Sequence, residues 1–164
     1  RALKQHGMKI HILSGDPSDN VDYIANKYNI DNKVKNASAY EKYKYIKNLI
    51  CDNSKVMMIG DGVNDTLALS IAHVSVAMGS ATDITKIHSD SILLNNNLLN
   101  ISKSIEYGKK NKTIIKQNIF WSIIYNVSGL TLAAFGILTP YYAAIGMSFS
   151  SLLVILNSLR LKNL

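Results

Sequence analysis

The sequence has little cysteine and, toward its C-terminal end, no charge. Cys51 is the single cysteine among 164 residues, which excludes a disulfide framework and any metal site that needs a pair of cysteines from this chain. Charged residues make up 18% of the chain, against roughly 25% in an average soluble domain. No charged side chain occurs from Gln117 to Leu159. A run of that length excludes a simple soluble globule.

The uncharged run is long enough for two membrane helices. A hydrocarbon core of ~30 Å needs ~20 apolar residues for each span, and Thr139-Pro140 interrupts the run. We therefore expect spans at 119–138 and 141–159; two buried core helices of a soluble protein are the alternative. Basic residues flank the run on both sides, which by the positive-inside rule puts both ends in the cytoplasm: Lys103, Lys109, Lys110, Lys112, Lys116, Arg160 and Lys162.

The net charge of +7 raises the question of nucleic-acid binding. No aromatic stacking motif accompanies the basic residues, so we expect no nucleic-acid partner. The chain begins with Arg1 rather than Met, and from this we expect it to be part of a longer protein.

The first hundred residues alternate between short apolar strands and amphipathic helices, which predicts an α/β fold with a mostly parallel sheet. We expect a helix after Ser18 or Asp19 that buries Val21, Ile24 and Ala25. The remaining predicted elements are strands at 8–13, 55–59, 74–78 and 91–94, and helices at 40–51, 66–72 and from about Leu98.

Two aspartates follow the apolar strand at 55–59, in the sequence Gly60-Asp61-Gly62-Val63-Asn64-Asp65. Ligands of open α/β sheets bind at the carboxyl ends of strands, and Mg²⁺ prefers one or two carboxylates together with water and phosphate oxygens. Asp61 and Asp65 are therefore candidate Mg²⁺ ligands, and the Asn64 amide can donate to a phosphate. The alternative is a glycine turn with an aspartate that caps the next helix.

Ser14-Gly15-Asp16 ends the first predicted strand in the same way. The Ser14 hydroxyl and the Gly15 backbone N–H can hold a phosphate oxygen, while Asp16 alone reads as a helix cap. Lys44 is our candidate for the positive charge that phosphoryl transfer needs. The alternative is that Lys42, Lys44 and Lys47 are all solvated lysines on one helix.

Ser14, Lys44, Asp61 and Asp65, in that order, resemble the last three motifs of the haloacid-dehalogenase-like phosphotransferases. The sequences Ser14-Gly15-Asp16 and Gly60 to Asp65 are similar to the hinge motifs of P-type ATPases, and the similarity continues through Val76 to Ile84. The resemblance implies that Asp61 binds Mg²⁺, that Asn64 and Asp65 order the phosphate site, and that Lys44 contacts a phosphorylated aspartate. Thr66-Leu67, Glu41 and His73 depart from the usual Ala-Pro, Pro and Asp.

The family's phosphorylation motif, Asp-Lys-Thr-Gly, does not occur in the sequence. Covalent phosphoryl catalysis needs that nucleophile, so we expect this chain alone to be inactive. The resemblance implies that the rest of the same polypeptide supplies it, together with nucleotide-binding and actuator domains and the binding of ATP.

Polar side chains inside the predicted spans are candidate ligands, because such groups are costly in hydrocarbon unless they are partnered or functional. Met147 and Ser151 share a helix face, and a thioether suits Cu(I); simple helix packing is the alternative. Tyr125-Asn126 and Met147-Ser148-Phe149-Ser150-Ser151 are similar to copper-transporting heavy-metal P-type ATPases. This resemblance implies that Tyr125, Asn126, Met147 and Ser151 line a Cu⁺ path beside a Cys-Pro-Cys helix elsewhere.

The predicted fold is a haloacid-dehalogenase-like (Rossmann-like) α/β partial phosphorylation domain followed by a two-helix transmembrane hairpin. We expect part of the phosphorylation domain at 1–97, a linker helix at 98–117, two transmembrane helices at 118–160 and a cytosolic tail at 161–164. The soluble part is expected in the cytoplasm, on a multi-pass protein of a bacterial inner membrane.

The function that the resemblance implies is ATP-driven export of Cu(I) with Mg²⁺, with a copper chaperone as a further partner. Alternatives are copper export for cytochrome oxidase assembly, Zn²⁺ or Cd²⁺ transport, a membrane-anchored phosphatase, and a catalytically inactive regulatory fragment.

Overall fold

The computed structural model describes residues 2–161, which separate into two compact units between Ser102 and Lys103. The first unit alternates helices and strands. Its helices are α1 (Ala2–Gln5), α2 (Asn20–Lys27), α3 (Ala39–Cys51), α4 (Thr66–Ile71) and α5 (Asp83–Ile87), and its strands are β1 (His11–Leu13), β2 (Asn32–Val34), β3 (Met57–Gly60), β4 (Val74–Met78) and β5 (Ser91–Leu93).

The strands form two parallel sheets. One sheet pairs β1 with β2, and the other has the order β3-β4-β5. Met57 pairs with Val74 in β4, and Val76 pairs with Ser91 in β5. Because all of these pairs are parallel, β1 and β3 both end at the carboxyl edge of a sheet, where the Ser14 and Asp61 turns begin.

The core of the first unit lies between β3 and the helices α3 and α4. Its buried apolar side chains are Ile46, Val56, Met58, Ala68 and Leu69. Val56 directly precedes β3, and Leu13, at the end of β1, packs against this group. This packing fixes α3 against the turn that follows β3, because adjacent close-packed side chains leave little room for the helix to shift.

The second unit contains most of α6 (Leu99–Ala134) and all of α7 (Pro140–Leu159). Gly136 ends α6 with a φ of +70°. The Gly136 N–H donates to the Ala133 carbonyl at 3.0 Å and the Ile137 N–H donates to the Leu132 carbonyl at 3.1 Å. This is the Schellman pattern, in which a glycine adopts a left-handed conformation just beyond the last turn of a helix.

Both helices of the hairpin expose large apolar side chains, including Phe120, Trp121 and Leu130 of α6 and Met147 and Phe149 of α7. Among the helices of the described chain, one, at Tyr141–Leu159, is long and apolar enough to cross a bilayer. Contiguous exposed apolar surface of this kind marks a membrane or protein contact.

Several predicted boundaries are corrected by the structure. The predicted first span ends at Leu138, whereas α6 ends at Ala134 because the Gly136 turn stops it. The predicted linker helix at 98–117 continues into the predicted first span as a single helix, α6. Ile24, predicted to be buried, is 45% exposed, while Val21 and Ala25 are buried as predicted. The predicted tail lies outside the described residues from 162 onward, as does Lys162.

Candidate active site

The Asp61–Asp65 turn connects β3 to α4. After Gly60 the chain forms a single 3₁₀ turn at Val63–Asp65 and continues directly into α4. The Asp65 side chain folds back over the end of β3, where a Cβ on Gly60 would lie 2.7 Å from Asp65 Cβ. Glycine is therefore required at position 60, because any larger residue would displace the carboxylate.

Asp65 is buried, with 7% of its surface exposed. Its Oδ2 accepts a hydrogen bond from the Asp61 backbone N–H at 3.4 Å. Its Oδ1 accepts one from Lys42 Nζ at 2.7 Å, and the Lys42 and Asp65 side chains are each 10% exposed. A buried charge is tolerated when a partner and hydrogen bonds satisfy it, and Lys42 supplies both to Asp65.

Lys42 is held in place by the start of α3. Ser38 caps this helix, and its hydroxyl oxygen accepts a hydrogen bond from the Glu41 backbone N–H. Glu41 Oε2 in turn accepts hydrogen bonds from the Ser38 backbone N–H and hydroxyl, each at 2.7 Å. These two bonds lower the pKa of the exposed Glu41 carboxyl below its ordinary value, the backbone N–H contributing most. The capping box thus anchors the helical turn that carries Lys42.

The expectation for Lys44 is corrected. Lys44 is exposed on α3, and Lys42 is the lysine that reaches the Asp61–Asp65 turn. The reason is helical periodicity. Lys42 lies four residues before the buried Ile46 and therefore lies on the same face of α3. Lys44 lies two residues after Lys42 and two before Ile46, which puts it on the exposed face. The spacing of Lys42 from Ile46 is a sequence signal that Lys42 shares the buried face of α3, and the contact with Asp65 then follows from how that face packs.

Asp61 and Asn64 differ from Asp65 in being exposed. The turn therefore contains one buried aspartate, paired with a lysine, together with one exposed aspartate and one exposed amide. The exposed Asp61 carboxylate fits the donor set of Mg²⁺, which usually keeps several waters and takes one or two carboxylates from a protein. Both oxygens of Asp65 already accept hydrogen bonds, from Lys42 and from the Asp61 backbone N–H. Within residues 2–161, no group of three or more His, Cys, Asp or Glu side chains is placed to bind a metal.

The Ser14–Asp16 turn at the end of β1 is organised by its own hydrogen bonds. Ser14 Oγ accepts from the Asp16 backbone N–H at 3.1 Å, and Asp16 Oδ1 accepts from the Ser18 backbone N–H at 2.8 Å. The bond from Ser18 is the largest cause of a lowered pKa for the exposed Asp16 carboxyl. Asp16 therefore stabilises the turn before α2 rather than acting as the side-chain cap of that helix, whose N-cap is Asp19.

The backbone of this turn is tied to the segment after β2. The Ser14 N–H donates to the Val34 carbonyl and the Ala37 N–H donates to the Ser14 carbonyl, both at 2.9 Å. In the described chain the hydrogen bonds of Ser14 run toward this segment and toward Asp16, and not to Asp61 or Asp65. Direct contacts thus bring Lys42, Asp61 and Asp65 together. Ser14 and Gly15 resemble Asp61 in following the last residue of a parallel strand.

The four predicted copper ligands lie in the hairpin. Tyr125 is half-buried against the α7 backbone at Gly146. Asn126 Nδ2 donates to Ser122 Oγ at 3.4 Å on its own helix, and the Ser151 hydroxyl donates to the Met147 carbonyl at 3.0 Å.

A polar contact between α6 and α7 was not predicted from the sequence. Asn118 Nδ2 donates to Ser158 Oγ at 3.0 Å, and Asn157 Nδ2 donates to Asn118 Oδ1 at 2.8 Å. Arg160 Nη1 donates to Asn157 Oδ1 at 3.1 Å and so fixes the orientation of this amide. Side-chain hydrogen bonds of this kind hold neighbouring apolar helices together.

Comparison with known proteins gives a consistent result for both units. Residues 1–73 match the family described as haloacid dehalogenase-like hydrolase. The chain is 40% identical, over 97% of its length, to a probable copper-importing P-type ATPase A of Enterococcus hirae. It is 37% identical, over its full length, to a copper-exporting P-type ATPase of Staphylococcus saprophyticus. The chain spans 22% and 21% of these two relatives.

A solved structure resembles the chain over both units. It is a zinc-transporting PIB-type ATPase in the E2.Pi state, with a TM-score of 0.87 and 28% identity over 97% of this chain and 26% of that one. Fold and site together define a haloacid-dehalogenase-like α/β domain with a pair of apolar helices. The chain is therefore similar to P-type ATPases over almost its whole length.

Proposed function

We propose that this chain is the part of an ATP-driven Cu(I) export pump that holds the Mg²⁺ and lysine side of the phosphorylation site and two helices of the ion path. The observation that carries the proposal is the Lys42, Asp61 and Asp65 cluster at the end of β3. The copper-transporting relatives, similar over the whole chain, support the choice of ion.

In the proposed site, Asp61 is the protein ligand that binds Mg²⁺ directly, because its carboxylate is exposed beside the buried Asp65. When bound, Mg²⁺ would neutralise charge on the phosphoryl oxygens during transfer. Asp65 orients the turn through the Asp61 backbone N–H and holds Lys42, whose positive charge would stabilise the charge on the phosphoryl oxygens. Asn64, Ser14 and Gly15 donate hydrogen bonds to phosphate oxygens.

The remainder of the pump supplies the nucleophilic aspartate, the ATP-binding and actuator domains and the Cys-Pro-Cys helix. In support, β1 pairs on one side with β2, and β3 pairs on one side with β4, within the described residues. A parallel strand that pairs with the other edges of β1 and β3 would end beside both Ser14 and Asp61. An aspartate at the end of such a strand would be within reach of Lys42 and of Mg²⁺.

Copper(I) is the proposed cargo, with Tyr125, Asn126, Met147 and Ser151 as its side-chain path. The thioether of Met147 is a soft ligand, which favours Cu(I) over the harder Zn²⁺. The uncharged hairpin agrees with this choice, since no carboxylate or lysine is present between Gln117 and Leu159.

The soluble unit faces the cytoplasm of a bacterium, the hairpin lies in the lipid bilayer of the inner membrane, and a copper chaperone delivers the ion.

The test is metal-stimulated ATP hydrolysis and transport by the complete protein in inverted membrane vesicles. We expect Cu(I), supplied with a thiol, to stimulate hydrolysis and to accumulate inside the vesicles, while Zn²⁺ does neither. Met147→Leu removes the thioether at nearly constant volume and should abolish the stimulation. Phe149→Leu is the matched control, because Phe149 lies on the same helix and is 61% exposed, against 64% for Met147.

Stimulation by Zn²⁺ alone would contradict the choice of ion and favour the zinc-transporting class. Hydrolysis of small phosphate esters without stimulation by any metal cargo would instead support a membrane-anchored phosphatase.

A further inference from the structure

Tyr125 of α6 contacts α7 at a position where only glycine fits. A Cβ added to Gly146 would overlap Tyr125 Oη, and it would lie 3.2 Å from Tyr125 Cζ and 3.3 Å from Cε2. Real side chains essentially never approach a Cβ as closely as that hydroxyl would. Any residue other than glycine at position 146 must therefore move the tyrosine ring or separate the two helices.

The other glycines of the hairpin do not have this role. A Cβ on Gly129, within α6, meets nothing within 4 Å, and Gly136 serves the turn that ends α6. Gly146 is a glycine because space is lacking, whereas Gly129 has room for a side chain. This contrast gives a matched pair of positions in one hairpin.

The position of the tyrosine hydroxyl has a chemical consequence. A phenolic hydroxyl in an apolar helix is costly unless it is partnered or functional, and small residues allow helices to approach closely enough for such contacts. Tyr125 is half-buried by the approach to Gly146, while Ile124 and Asn126 on either side of it are exposed. Gly146 immediately precedes Met147, so the hydroxyl is held at the turn of α7 that carries the thioether.

We infer that Gly146 is a positioning residue for Cu(I): it sets the place of Tyr125 Oη relative to Met147 and thereby the affinity of the ion path for the ion. This inference rests on the proposed function, since it assumes that Tyr125 and Met147 meet the transported ion. Gly146 itself offers no ligand atom, and it acts through the space that it leaves.

The test measures Cu(I) affinity of the complete protein by competition with the chromophoric chelator bicinchoninate. Gly146→Ala should weaken binding about tenfold, which is a change of about 1.4 kcal/mol, because the new methyl group displaces the tyrosine hydroxyl. Gly129→Ala should leave the affinity unchanged. Both substitutions raise helix propensity equally, so a difference between them reports the contact with Tyr125.

A double-mutant cycle separates this effect from a general disturbance of the helices. Tyr125→Phe removes the oxygen atom that the new methyl group would overlap. We therefore expect the double variant Gly146→Ala/Tyr125→Phe to bind Cu(I) as Tyr125→Phe alone does, since two residues in contact that act through one atom are not additive. If Gly146→Ala does not fold, the double variant should fold, because the overlap with Oη is removed and the ring atoms Cζ and Cε2, at 3.2 and 3.3 Å, need to move only by a few tenths of an ångström.

The outcomes are distinguishable. A wild-type protein that binds no Cu(I) contradicts the proposed function and this inference together. A wild-type protein that binds Cu(I), with Gly146→Ala equal to Gly129→Ala, overturns the inference and leaves the proposed function intact. Additive losses in the double variant, or a double variant that also fails to fold, overturn the inference as well.

Discussion

The burial and the ion pair of a single side chain distinguish Lys42 from the other lysines of α3. Lys42 and Asp65 are both more than nine-tenths buried, and their charged atoms lie 2.7 Å apart. Removing one member of a buried ion pair leaves the other charge without a partner in a medium of low dielectric constant, at a cost of about 3–5 kcal/mol. A lysine on the exposed face of the same helix has no such consequence.

The first prediction compares Lys42→Met with Lys44→Met in the complete protein. Lys42→Met should lower the midpoint of thermal unfolding and reduce Mg²⁺-dependent ATP hydrolysis at least about 100-fold, since one charged group at the phosphoryl oxygens commonly contributes that much. Lys44→Met should leave both quantities close to the wild-type values, because Lys44 is exposed. Equal losses in the two variants would contradict the assignment of Lys42.

Among the helices and strands, α3 has the most local support from its sequence. The Ser38 and Glu41 capping box satisfies backbone donors at its start, and the turn it stabilises contains Lys42. The lowered pKa of Glu41 has a defined sign. The charged carboxylate stabilises the folded helix fully above the ordinary glutamate pKa of 4.5, and this contribution is lost as the pH falls through the lower pKa of the folded state.

The second prediction is that Ser38→Ala weakens α3 by about 1 kcal/mol at pH 7, the usual effect of losing an N-cap. Hydrogen exchange of the α3 amides in the complete protein measures this as faster local opening. The difference from wild type should shrink as the pH falls below 4.5 and through the lower pKa of folded Glu41, because protonated Glu41 no longer supports the box. Ser70→Ala on α4, where the hydroxyl donates to the Leu67 carbonyl, is the control and should leave α3 unchanged. A difference that does not depend on pH would contradict the role of Glu41.

The elements that the sequence predicted well are those with a buried apolar face. The strand at Val74–Met78 was predicted with its exact bounds, because four of its five residues are apolar and three of the five are buried. Tyr40–Cys51 was predicted as a helix one residue shorter than α3. In these segments the positions of the apolar residues in the sequence match the positions that are buried in the structure.

The elements that were missed are short: the four-residue helix α1, the strand β2 and the helix α5. The strand β2 consists of Asn32, Lys33 and Val34, with the first two exposed, and it exists because its backbone pairs with β1. The helix α5 has five residues and begins where the Thr82 hydroxyl oxygen accepts from the Thr85 backbone N–H. Neither β2 nor α5 has a repeat of apolar residues long enough to predict its structure from the sequence. Pairing with β1 determines β2, and the Thr82 cap determines where α5 begins.

At the scale of the whole molecule, the candidate site could be predicted in its motifs but not in its contacts. Asp61, Asp65, Ser14 and Gly15 follow strands, so their place at sheet edges was readable from the order of the elements. The contact of Lys42 with Asp65 depends on how α3 packs on the core below α4, and the contact of Tyr125 with Gly146 depends on the approach of two helices. Sequence spacing alone does not fix either one.

The central claim is that the Lys42, Asp61 and Asp65 cluster works on an aspartate carried elsewhere in a longer pump. The most direct test labels the complete protein with ATP carrying ³²P in its γ-phosphate, in the presence of Mg²⁺ and Cu(I), followed by acid quenching and peptide mapping. We predict a Cu(I)-dependent label that hydroxylamine removes, on a peptide outside these 164 residues, and its loss in Asp61→Asn. A label within these residues, or a protein that forms no acylphosphate with Cu(I), would contradict the account.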